Sequence, residues 1–396
     1  MTPKGKLVII AAIASVCLFG QPPEAKAAGQ EIHQTAPQGR SANQKACPSP
    51  DVVENVLGKA SDLMEHARYQ VAAEKLEPLS SLGCDARISL LLAGALESEG
   101  KPPEAEQTLQ RAHLKWPSND SIAASLAREY LHDGQTDKAL QALAHFHVSN
   151  DTRPQEMEIA VVVYLAAHKL VPAQAVADAD YRSHPSVDTL LLLANVLQLQ
   201  GRYPDVNRLL GSKRESYSDS PKFLITLAES EYDASIYTAA HNDIERALLL
   251  DPSSFQAHYI LGNVLVRLGD PDRAVTEYRE AIQLAPDQPR TYFQLALVLR
   301  TKMDSAGEES ALNQALAADN HYAPAHCEMG RMLIEQGRFE DAVIHLNSAV
   351  EYNPNSEEAY FLLVRAYAKL GQKDKAAAME KRLVTLLKSN RPGQVK

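Results

Sequence analysis

The stretch "GDPDRAVTEYREAIQLAPDQ", residues 269–288, decides how the chain is to be read. Thirty-four residues upstream stands "SIYTAAHNDIERALLLDPSS" (235–254), and sixty-eight residues downstream "GRFEDAVIHLNSAVEYNPNS" (337–356). Each has a turn-forming residue at its start, and each has a proline near its end: Pro252, Pro286 and Pro354. Stepping by 34 from Gly269 gives Gly201, Ser235, Met303, Gly337 and Gly371, and Gly100 and Gly134 stand 34 apart further upstream. Such a fixed period marks a chain built from one repeated supersecondary unit.

Within 255–288 the apolar spacing is helical. Leu261, Gly262 and Leu265 form one stripe, and Ala274, Tyr278 and Ala281 a second. Separations of three and four place each set on one helix face. Gly269 interrupts the two helices and Pro286 ends the second. The unit is therefore an antiparallel helix hairpin. Gly262 and Ala274 stand where the two backbones approach, and Tyr278 fills the space beside them. One hairpin cannot bury its apolar face alone; stacking on its neighbours does so.

These positions resemble the tetratricopeptide repeat family. Its pattern recurs at His326, Met329, Gly330, Leu333, Ala342, Leu346, Ala349 and Pro354, and at Leu92, Ala93, Leu96, Gly100, Ala105, Leu109, Ala112 and Pro117. It recurs again at Leu126, Ala127, Tyr130, Gly134, Ala139 and Leu143. The units run 53–86, 86–119, 120–153, 154–186, 187–220, 221–254, 255–288, 289–322, 323–356 and 357–390. The resemblance implies an all-α fold, a right-handed α-solenoid (superhelix) of antiparallel helix pairs over 51–390, with a tail at 391–396. Three units depart from the pattern. The register of 154–186 is off by one with Pro172 near its second helix, Glu308 replaces a small residue in 289–322, and Glu380 occupies an aromatic position in 357–390 as befits a polar end.

The N-terminus reads as an export signal. Lys4 and Lys6 precede an apolar run from Leu7 to Phe19, and Ala25–Lys26–Ala27 offers a cleavage site after Ala27. The competing reading is a lipoprotein or uncleaved anchor, since Cys17 closes the apolar run behind Val16. Residues 28–50, rich in Gln, Ser and Pro, read as a flexible leader. Export places the protein in the periplasm or outside the cell, with no stable membrane span once the signal is removed. The net charge of −10 argues against nucleic acid as a partner.

No catalytic signature is present: the sequence has no H-E-x-x-H, G-x-S-x-G, G-x-x-x-x-G-K-[ST] or G-x-G-x-x-G. The pairs Glu308–Glu309 and Glu357–Glu358 read as partners of helix dipoles rather than acid/base pairs. His145 and His147 fall in the second helix of the third unit, two residues apart, a spacing that does not share a helix face, so no metal is expected. Neither a cofactor nor an enzymatic activity is expected, and a remnant of a repeat-linked sugar transferase is disfavoured because no stretch outside the repeats would hold its catalytic domain.

Binding remains. The resemblance implies that the first helices of successive units line a concave groove that takes an extended peptide or a helix. Carried over one at a time, the groove positions include Asn195, Glu229, Asn263, Arg267, Arg290, Arg300, Arg331, Arg365 and Lys369. The family's Lys/Asn/Arg clamp for a terminal carboxylate is not complete. Arg290, Arg300, Arg331, Arg365 and Lys369 still form a basic stripe in the last three units, against Asp188 and Glu229 earlier. Such a stripe would attract an acidic segment or a C-terminal carboxylate; alternatively its arginines pair with neighbouring Glu and Asp. The protein is thus expected to be a peptide-binding scaffold, or an accessory subunit of a polysaccharide or fibre export machine. Cys47 precedes the first helix of the first unit and Cys84 follows its second, so an antiparallel pair brings them together as a disulfide; two free thiols are the alternative. Cys327 is left as a partly buried thiol.

Overall fold

The computed structural model describes residues 47–149 and 151–390. The signal segment with Cys17, the leader as far as residue 46 and the tail 391–396 lie outside the described residues. Twenty helices and no strand occur among the described residues, and no helix there is long and apolar enough to cross a membrane.

The chain divides into two bodies, Met1–Arg202 and Tyr203–Lys396. The first contains α1 (Pro50–Glu65), α2 (Tyr69–Leu82), α3 (Ala86–Ser98), α4 (Pro102–Lys115), α5 (Asp120–His132), α6 (Thr136–Ala142), α7 (Pro154–Ala166), α8 (Leu170–Ser183) and α9 (Val187–Leu199). The second contains α10 (Tyr203–Gly211), α11 (Pro221–Asp233), α12 (Tyr237–Leu250), α13 (Phe255–Leu268), α14 (Pro271–Leu284), α15 (Pro289–Thr301), α16 (Ser305–Ala318), α17 (Ala323–Glu335), α18 (Phe339–Tyr352), α19 (Glu357–Lys369) and α20 (Lys373–Asn390). In each body consecutive helices pack as hairpins, and the second helix of one hairpin packs on the first helix of the next.

Local chemistry sets the helix starts. Asp85, Asn119, Ser220, Ser254 and Ser356 each place a side-chain oxygen on a backbone N–H of the first turn of α3, α5, α11, α13 and α19. The small residues sit at the helix crossings. Ala105, Ala139, Ala173, Ala240, Ala274 and Ala342 are all fully buried. A methyl group added at Gly262 would come 2.6 Å from the Tyr278 ring, so only glycine fits there without the ring shifting.

The turn inside each hairpin needs a left-handed residue. Gly269 adopts φ +83°, and the N–H groups of Gly269 and Asp270 close onto the carbonyls of Val266 and Leu265. Where the repeat lacks glycine the turn keeps this conformation: Ala67, His168, Ser235 and Met303 all have positive φ. Met303 is 90% exposed, so its side chain supplies no packing to offset the strain. Met303→Gly is expected to stabilise the protein by about 1 kcal/mol, the order of the left-handed penalty for a residue with a Cβ. A urea midpoint unchanged from the parent would show that the turn relaxes by other means.

Two segments depart from the sequence expectation. Helix α6 ends at Ala142, so His145 and His147 lie beyond it rather than in the second helix of their unit, and the His147 ring bonds the His145 carbonyl. No group of three metal-ligating side chains occurs among the described residues. Helix α10 also stops early, at Gly211, and is followed by turns.

Candidate functional site

The second body brings one column of side chains into line. Ile225, Tyr259, Phe293, Cys327 and Phe361 occupy the same place on α11, α13, α15, α17 and α19, each 34 residues from the next. Arg290 on α15 acts electrostatically on Glu229 and Asp233 of α11, two hairpins away. Groups that far apart in a stack sense one another only if their helices turn toward a common side. That side carries the column, since Arg290 lies over the Tyr259 ring.

Its middle is aromatic. The Arg290 guanidinium lies 4.9 Å over the Tyr259 ring, a cation–π distance. Tyr259 leans against Tyr278, whose hydroxyl donates to the Asn263 side-chain oxygen at 2.8 Å. Arg267 stacks on Tyr237 and donates to its hydroxyl from Nε and Nη2 at 3.1 and 2.7 Å. Tyr232 meets Tyr237 edge-on, and Phe293 meets Tyr322 in the same way. Burial pushes the Tyr322 hydroxyl up to about 12.

Toward the C-terminus the face holds a cavity of about 170 Å³ lined by Phe293, Pro324, Cys327, Asn353, Ser356 and Glu358, among others. The Cys327 thiol is free and buried, and burial raises it to about 12, so it is not a nucleophile. Beyond the cavity Arg365 lies 6.0 Å over Phe361, and both are exposed, as is Lys369 in the last turn of α19.

The basic stripe expected from the sequence is not a stripe of free cations. Arg331 is 14% exposed at its side chain and donates to Glu308 at 2.6 Å, to Glu328 at 2.8 Å and also to Glu335. Arg300 pairs with the same Glu328. Glu308 and Glu328 are only 4% and 6% exposed. The small-residue position that Glu308 usurps on α16 therefore becomes one half of a buried ion pair with the next hairpin. Arg300 and Arg331 are committed to internal carboxylates, whereas Arg290, Arg365 and Lys369 remain exposed. Asn263 and Arg267 are tied to tyrosines, and Asn195 lies half-buried on α9 of the first body.

A second buried cluster escaped the sequence entirely. Arg214, in the turns after α10, pairs with Glu231 of α11 and with Asp243 of α12. Burial and the Asp243 charge push the Glu231 carboxyl up to about 7. In the first body a disulfide joins Cys47, ahead of α1, to Cys84, ahead of α3, with Cα atoms 5.7 Å apart.

Models described as tetratricopeptide repeat match residues 57–120, 225–289, 261–323 and 333–384. A tetratricopeptide repeat and J domain-containing co-chaperone of Cryptococcus neoformans is 27% identical over 191 residues, 48% of this chain and 32% of that protein. A cytochrome c-type biogenesis protein of Bradyrhizobium diazoefficiens is 29% identical over 190 residues, 47% of this chain and 48% of that one. The chain thus spans less than half the length of these relatives. Among solved structures, the type IV pilus biogenesis factor PilW is similar with a TM-score of 0.47 and 18% identity, over 52% of this chain and 94% of that one.

Proposed function

Because the chain belongs to the tetratricopeptide repeat family, we propose that it is a non-catalytic scaffold of the cell envelope that holds a protein or peptide segment on the inner face of its second body. The observation that carries this reading is the column Tyr259, Phe293, Cys327 and Phe361, flanked by the exposed Arg290 and Arg365. Aromatic and arginine side chains are the groups that dominate protein interfaces. A residue-sized cavity in the same column offers a socket for one side chain of a partner.

Two features support the rest of the reading. The Cys327 thiol is held protonated, and the buried Glu308 and Glu328 are engaged with arginines, which suits packing rather than chemistry at these groups. The Lys4 to Ala27 signal pattern and the Cys47–Cys84 disulfide both suit an oxidising compartment such as the periplasm.

Site-specific photocrosslinkers in the native cell test it. Probes at Arg290 and Arg365 should capture a protein, and a probe at Ile344, exposed on the second helix α18, should not. Equal capture from Ile344 would overturn the groove reading. The identity of the captured protein separates a general scaffold from a subunit of an export machine.

A further inference from the structure

We propose that His326 and His345 form a pH-sensitive latch between α17 and α18, closed at neutral pH and released in mild acid. The His326 ring, in the first turn of α17, bridges two elements. Its Nε2 lies 3.0 Å from the Asn320 carbonyl, in the turn before α17, and its Nδ1 lies 3.1 Å from Nδ1 of His345 on α18. A carbonyl only accepts, so Nε2 of His326 carries a proton. Neutral His326 then offers a lone pair at Nδ1, and His345 donates to it. If His326 is charged instead, it donates and His345 must be neutral. The bond therefore survives one positive charge on the pair but not two, because a second proton would set two N–H groups head to head between like charges.

The repeat supplies its own contrast. Two units upstream, at the same places in the unit, His258 on α13 makes the same bridge: Nε2 to the Pro252 carbonyl at 3.2 Å and Nδ1 to a Glu277 carboxylate oxygen at 2.7 Å. A charged ring there gains an ion pair. At position 345 a second imidazole replaces that acid. The other charges around the latch are engaged with one another. On α18, Asp341 favours a charge on His345 and Arg338 opposes it, and these two pair at 2.8 Å. In the turn before α17, His321 lies 3.7 Å from Asp319 and meets Tyr352 edge-on, and the Tyr352 ring also faces His326. On α17 itself, Glu328 is held by Arg300 and Arg331. Of the helices packed alongside, α16 carries Glu308 and Glu309, and α19 carries Glu357 and Glu358; Glu308 bonds Arg331, and Glu358 acts on Cys327. Burial first, and then the His326 ring, lowers His345. The open state thus binds the proton more readily, so the stability this latch gives is present above the ordinary histidine value of about 6.5 and is lost as pH falls below it. Release would reach the column, because His326 adjoins Cys327 and Tyr322, at the end of the same turn, packs on Phe293. The latch stands apart from whatever the face binds.

Hydrogen exchange of the full mature chain at about pH 7.5 and about pH 5.5 provides the test, corrected for the intrinsic pH dependence of exchange and run in EDTA so that no divalent ion can tie the two rings. Protection over residues 320–330 should fall about tenfold at the lower pH, the factor for one proton taken up one unit below the ordinary histidine value. Residues 252–262, around the His258 bridge, should keep theirs. His345→Glu installs the acid of the upstream unit and should make protection over 320–330 at the lower pH at least equal to that at the higher. His345→Gln keeps a neutral donor that does not titrate and should make protection the same at both. Either variant decides if the other does not fold. Protection in the parent that does not change with pH overturns the latch. A fall that both variants repeat, or that residues 252–262 share, also overturns it and traces the loss to other groups.

Discussion

Arg331→Ala is expected to destabilise the second body by about 3–5 kcal/mol, the cost of removing one partner from a buried ion pair. Arg331 faces three carboxylates, and two of them, Glu308 and Glu328, are buried between α16 and α17. Without the guanidinium both lose their main counter-charge, and only Arg300 remains to pair with Glu328. The loss should appear as a lower urea midpoint. Restoring the repeat's own solution should reverse it. Glu308→Ala combined with Arg331→Leu returns a small residue to α16 and removes the orphaned charge, so the double variant should recover most of the lost stability. Apolar replacements of buried ion pairs are often neutral or stabilising. An Arg331→Ala protein within about 1 kcal/mol of the parent would show that water reaches Glu308 and screens it, as at exposed pairs. It follows that Arg331→Ala mixes folding with binding and is a poor probe of the groove; Arg290 and Arg365 are the arginines to mutate.

Replacing Cys47 and Cys84 together by serine is expected to cost about 4 kcal/mol in the chain-entropy model for a loop of this length, and the cost should be local. The two cysteines are 37 residues apart and the loop between them contains α1 and α2. Helix α1 packs against α2 and α3 and has no described helix before it. Its apolar core contribution is small, with Val53, Ala60 and Met64 its buried residues. Packing alone therefore holds it weakly, and hydrogen exchange in α1 should accelerate far more than exchange in α5 or α7. Uniform acceleration across the first body would mean that the disulfide supports the whole stack rather than its end. Unchanged exchange would mean that α1 does not depend on it.

The sequence announced the hairpins because each residue of the packing code recurs at a constant distance. Gly262, Ala274 and Tyr278 define one crossing, and the same crossing returns wherever a small residue stands 34 positions away. Even the turns that lack glycine were placed correctly by the period: Ser235 and Met303 adopt the left-handed conformation that their positions require. The column on the first helices was also written in the period. Tyr259, Phe293, Cys327 and Phe361 are spaced by 34, but they do not belong to the small-residue and leucine positions that carry the repeat pattern.

Which charges are free was not legible in that way. Arg331 meets Glu308 and Arg300 meets Glu328 across hairpins, at separations of 23 and 28 residues that belong to no period. Arg214 reaches Glu231 and Asp243 only because α10 stops at Gly211 and lets the chain turn inward. The sequence by itself determined the helix pairs and their turns, because backbone geometry and close packing repeat with the chain. Only the tertiary structure decided that Arg300 and Arg331 are spent on buried carboxylates while Arg290 and Arg365 remain exposed. Ion pairing depends on distance and burial between elements, and neither is periodic along the chain.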